Sequence, residues 1–62
     1  MVVTAVVEFV RTIPATKVDA AVIATKALAN QDETVRRIRT VKRVEHAGPG
    51  LVKVTLAVEV DS

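Results

Sequence analysis

The stretch Asn30-Gln31-Asp32-Glu33-Thr34-Val35-Arg36-Arg37-Ile38-Arg39 decides how this chain folds. Upstream of it, from Lys17, apolar or small residues recur mostly at three- and four-residue steps: Val18, Ala21 and Val22, Thr25, Leu28 and Ala29. That spacing gathers side chains on one face of an α-helix. The polar residues from Asn30 to Glu33 interrupt the pattern, which resumes at Val35 and Ile38. Either one helix runs from about residue 17 to 38, or a short helix ends near 29 and a long strand begins near 34. The spacing favours the long helix, because Val35 and Ile38 fall seven and ten residues after Leu28 and stay on its face. Read as a strand, residues 34–39 show no clean alternation, since Arg36, Arg37 and Arg39 occupy both faces.

The flanking segments read as strands. Residues 2–10 are largely β-branched and apolar, with Val3, Ala5, Val7 and Phe9 on one face and Val2, Thr4, Val6, Glu8 and Val10 on the other. After the connection Arg11 to Ala15, Thr16 is placed as a helix N-cap, with Asp19 three residues on in capping-box spacing and near the positive end of the helix dipole. Thr40 to His46 forms a second strand, and Ala47-Gly48-Pro49-Gly50 a turn. In the last strand, Leu51 to Val60, the residues Val52, Val54, Leu56, Val58 and Val60 make an unbroken apolar face. The opposite face carries Lys53, Thr55, Ala57 and Glu59. The expected fold is therefore α+β, a single β-α-β-β domain over residues 1–62: a three-stranded antiparallel sheet with the first strand beside the third. The helix lies across the Val52–Val60 face. The other face, joined by Thr4 and Glu8 if the first strand is in phase, is too apolar for open water and too polar for a dry core. Such a face suits a subunit interface or a wet cavity.

Composition points the same way. Half of the 62 residues are hydrophobic, yet Phe9 is the one aromatic. A chain of about 60 residues buries only about 60% of its unfolded surface, and small domains usually add disulfides, a metal or assembly. The absence of Cys removes disulfides and thiolate sites, and the single His46 argues against a histidine-based metal site in one subunit. Self-assembly is the remaining route. With no basic leader and no apolar run of membrane-spanning length, the chain reads as soluble and cytoplasmic.

No nucleophile–base pair, carboxylate dyad or glycine-rich phosphate loop is visible, which argues against an enzyme. The basic run Arg36, Arg37, Arg39, Lys42 and Arg43 is the strongest nucleic-acid signal. It lacks interleaved aromatics, and seven acids nearly balance nine bases for a net charge of +2, so nucleic acid is disfavoured as a partner. Glu45 and Glu59 could bind a cation where several copies converge on an axis; the plainer reading is ordinary ion pairing with Arg or Lys.

Several strings resemble the dodecins, small flavin-binding proteins of β-α-β-β topology that assemble as hollow twelve-subunit shells. Val7-Glu8-Phe9-Val10-Arg11-Thr12-Ile13-Pro14 looks like the family's Val-Glu-Leu-Val-Gly-Thr-Ser-Pro. Thr16 matches the Ser that opens the helix, and Asp19-Ala20-Ala21 the acidic-Ala-Ala that follows. Thr34-Val35-Arg36 with Ile38-Arg39 looks like the helix end, Val44-Glu45 like a Val-Glu on the second strand, and Val52-Lys53-Val54-Thr55-Leu56 loosely like the last strand. Aligning both halves requires a helix about three residues longer, the insertion falling at Asn30-Gln31-Asp32.

The resemblance implies a homo-oligomer, dodecameric in stoichiometry, that binds or sequesters a small ligand, with flavin as the family's cofactor. The departures fall at the flavin positions. The family's stacking Trp is matched by Thr40, its flavin-contacting Gln by Lys53, and the Gly of its first connection by Arg11; the hairpin is also shorter. Base–aromatic stacking is worth about 1–3 kcal/mol per ring, so by analogy a flavin would bind roughly ten- to a hundredfold more weakly here. Thr40, Glu45 and Lys53 are thus the candidate ligand residues, with Lys53 able to pair an anionic ligand or simply to sit in solvent. A ligand-free shell or scaffold is the alternative.

Overall fold

Four elements account for most of residues 3–61, which the computed structural model describes: β1 (Thr4–Pro14), α1 (Val18–Gln31), β2 (Val35–Gly48) and β3 (Leu51–Asp61). The sheet order is β1-β3-β2 with both pairings antiparallel, so the expected β-α-β-β fold and the neighbouring first and third strands are found. Val2 of the expected first strand lies outside the described residues.

The long helix is not formed. α1 ends at Gln31, and Val35 and Ile38, expected on its face, begin β2. Asp32 explains the break. Its backbone is extended, and its Oδ1 accepts from Thr34 Oγ1 at 2.7 Å and from the Thr34 N–H at 2.9 Å. An Asx turn of this kind gives the backbone an alternative to continuing the helix. Beyond it the β-branched residues Val35, Ile38, Thr40, Val41 and Val44, whose stiff χ1 favours a strand, recur at short intervals. The strings matched above to a helix end therefore lie on β2.

Three-residue spacing survives in β2 for another reason. Its register against β3 slips by one residue at Val35/Arg37, Ile38/Thr40, Val41/Arg43 and His46/Gly48. Each slip is a β-bulge, in which two residues oppose one. The bulges turn the alternation into a triplet: Val35, Ile38, Val41 and Val44 are partly buried and packed on the core, while the two residues between each pair are exposed. A helical stripe and a strand bulged every third residue leave the same sequence pattern.

The start of α1 also differs from expectation. Lys17, not Thr16, is the N-cap residue, and no side chain caps the helix. The Ala15 N–H donates to the Gly50 carbonyl at 3.0 Å, so the chain leaves the sheet late and the helix starts one residue further on. Asp19 remains in the first turn, beside the positive dipole end.

β3 is the centre of the molecule. Val52, Val54, Leu56 and Val58 are fully or almost fully buried under the helix, which presents the small residues Ala21, Thr25 and Ala29. Small side chains let helix and sheet approach closely. The buried Thr25 hydroxyl donates to the Ala21 carbonyl at 2.8 Å. On β1, Phe9 opposes Leu56 and closes the core, and Arg11 covers its ring with the guanidinium 4.0 Å from the centroid. The β2–β3 turn needs Gly50, whose φ of +69° is left-handed.

The molecule is drawn out rather than round. Its radius of gyration is 12.1 Å, against about 10.6 Å for a compact chain of this length. Its accessible area is 4340 Å², against about 3,900 Å² for a monomer of this mass. Val3, Val6, Val7, Val18, Ile23 and Leu28 are all more than a third exposed.

Candidate functional site

One face of the sheet has no helix over it. The register places Thr4, Val6, Glu8, Val10 and Thr12 of β1 there, in phase with Asp61, Glu59, Ala57, Thr55 and Lys53 of β3. Glu59, Ala57, Thr55 and Lys53 in turn oppose Arg37, Thr40, Arg43 and Glu45 of β2. The bulges enrich the β2 side, because each triplet turns two residues outward for one inward.

Cross-strand ion pairs organise this surface. Lys42 Nζ reaches over the central strand to Glu8 Oε2 of β1 at 3.1 Å, and Arg36 Nε meets Asp61 Oδ1 at 2.7 Å. Glu59 is more enclosed, its side chain 16% exposed, with Arg37 Nε 2.5 Å and Arg39 3.8 Å from its Oε2. The Thr4 hydroxyl donates to the other oxygen at 3.3 Å. Glu59 Oε2 is buried yet accepts no aligned hydrogen bond, so the arginines hold it by charge rather than by a directed N–H. Of the five cations in the basic run, four thus have a carboxylate partner within the subunit, and Arg43 has none among the described residues.

All three residues singled out from sequence lie on this face, but not together. Glu45 and Lys53 are register partners, both exposed, with no ion pair between them in the described structure. Thr40 opposes Ala57, four residues along β3 from Lys53, a separation of about 13 Å at strand rise. Glu45 and Glu59 lie at opposite ends of the sheet face, and no three His, Asp or Glu side chains gather in metal-binding geometry among the described residues. Between Thr40 and Lys53 lies a dent of about 100 Å³ lined by Glu8, Lys42, Arg43 and Thr55. Sequence reasoning grouped Lys42 and Arg43 with a nucleic-acid signal and did not join them to Thr55. Only the bulge at Val41/Arg43 puts both cations over that threonine.

Away from this face, Asp32 is the ionisable group with a resolved displacement. The Thr34 hydroxyl, then the Thr34 N–H, hold its carboxyl below the usual carboxylate range, with Arg11 adding a smaller attraction.

These features define a small α+β chain with one helix-covered sheet face and one open, charged face. No family model matches the chain, nor does any curated protein or solved structure. No helix among the described residues is long and apolar enough to cross a membrane.

Proposed function

We propose that this chain is a non-enzymatic subunit that assembles with copies of itself and holds a small ligand against the open sheet face. The observation that carries the reading is the outer edge of β1. Eleven residues pair with β3 without a register slip, leaving the other side of a regular, largely apolar strand with no paired strand among the described residues. Val6 and Val7 on it are 57% and 43% exposed. A regular apolar edge is a template for another strand. A second copy supplies a matching one, since identical edges pair antiparallel about a two-fold axis. The elongated shape and the exposed apolar side chains support the same conclusion. A closed shell, dodecameric if the resemblance to dodecins extends to assembly, would bury Ile23 and Leu28 of the helix as well.

Within such a shell the open face is the place for a ligand. Ligand pockets usually span about 300–1,000 Å³, so the dent of about 100 Å³ takes only part of a molecule. Thr40 offers no ring to stack on, and flavin binding is accordingly weak in this reading. The small dent favours, as the second reading, a scaffold with no ligand. Internal pairing of four cations weighs against a nucleic-acid partner.

Native mass spectrometry tests the proposal. A single multi-subunit species is expected, and a stable monomer contradicts it. A retained small molecule selects the ligand-holding reading, and its absence the scaffold. Riboflavin titration followed by fluorescence quenching should show no submicromolar binding.

A further inference from the structure

Thr55 sits in mid-strand on the central strand of the open face, only 7% exposed, and lines the dent. Its hydroxyl makes no hydrogen bond among the described residues. A hydroxyl in that position can donate to a group that enters the dent. Directly opposite on β2 is Arg43, the cation of the basic run without a carboxylate. Beside it Lys42 contributes an ammonium, turned to the same face by the bulge. Glu8, on the rim, is the one acid in the lining, and its pair with Lys42 is more than half exposed on both sides. Exposed pairs of that kind contribute little, about 0–1 kcal/mol, so Glu8 can yield Lys42 to a stronger acceptor.

We propose that the dent is an oxyanion site, built for a phosphate, sulfate or carboxylate group. The Arg43 guanidinium offers a planar fork of N–H donors, Lys42 a point charge, and Thr55 an O–H at the floor. Three donors carrying two positive charges against one displaceable carboxylate favour an anion over a cation. The volume suits a single tetrahedral or planar group rather than a whole cofactor. The site deepens the ligand-holding proposal by naming the ligand's chemistry and moving its anchor from Lys53 to Arg43. It does not depend on the subunit count, because anion binding is read on whatever oligomer the chain forms.

The test is a titration of the intact protein with inorganic phosphate at constant ionic strength, read by the phosphorus NMR linewidth, with sulfate and acetate as competitors. Saturable broadening is expected, reversed by whichever competitor shares the site. Charge-assisted hydrogen bonds imply a loss of roughly ten- to a hundredfold in affinity for Arg43→Gln. Thr55→Val, nearly isosteric and a good strand residue, should weaken binding several-fold with the oligomer unchanged. Lys53→Gln should leave it unaltered. No saturable broadening, equal displacement by chloride, or binding lost in Lys53→Gln but kept in Arg43→Gln overturns the proposal.

Discussion

The two outer strands share one central partner and treat it differently. β1 follows β3 through eleven consecutive residue pairs, whereas β2 uses fourteen residues to span ten of β3 and bulges four times. Bulges increase local twist and leave residues unpaired, and charged side chains discourage a further strand. The β2 edge has both, with Arg36, Arg37, Arg39, Lys42 and Arg43 in its outward pairs. The β1 edge has no bulge and only two charged residues, Glu8 and Arg11, with Pro14 at its end. One side of the sheet is closed to further pairing and the other is open. The same bulges that close β2 also concentrate its cations on the open face, so edge protection and the anion site have one structural cause.

The contrast can be broken first at the triplet. Val41→Asp forces a charge against the core opposite Leu56 and should cost about 3 kcal/mol or more, while Lys42→Ser next to it should cost about 1 kcal/mol or less. Urea midpoints of the two variants check this; an ordinary alternating strand would not expose Arg36 and Arg37 together while burying Val35 and Ile38. Next is the open edge. Val6→Lys gives β1 the kind of charge β2 already has, and should raise the dissociation constant of the assembly at least tenfold, about 1.4 kcal/mol, as seen by sedimentation at falling concentration. Glu59→Gln releases Arg37 and Arg39 while keeping an acceptor for Thr4, and should lower stability by about 1 kcal/mol, less in high salt. The smallest effect is at Asp32. Its folded-state carboxyl lies below the ordinary value of 3.8, so its contribution is present above that pH and lost as pH falls through the folded value. Asp32→Asn should therefore be slightly less stable than wild type at neutral pH, and acid melts of the two should converge below the folded value.

Strand β3 was legible because its own side chains alternate simply, Val and Leu against Lys, Thr, Ala and Glu. The hairpin was legible from Gly48-Pro49-Gly50. The boundary between helix and β2 was not, since Val35 and Ile38 continue a three-residue rhythm that bulges reproduce. The informative residues there were Asp32 and Thr34, whose side-chain bonding stops the helix. The N-cap was misplaced by one residue because the Ala15–Gly50 hydrogen bond is a long-range contact with no local signature. Lys53 was legible as an open-face residue, whereas Thr40 and Glu45 are brought to that face by the pairing of β2, and which neighbours meet there depends on slips in register. Arg43 and Thr55 could be joined only once β2 was known to bulge.

Hydrogen exchange of backbone amides tests the central claim most directly. In the assembled wild-type protein, outward-pointing amides of β1 should exchange as slowly as those of β3, while outward-pointing amides of β2 exchange fast. Fast exchange along β1, equal to that of β2, would show that no second copy covers the open edge.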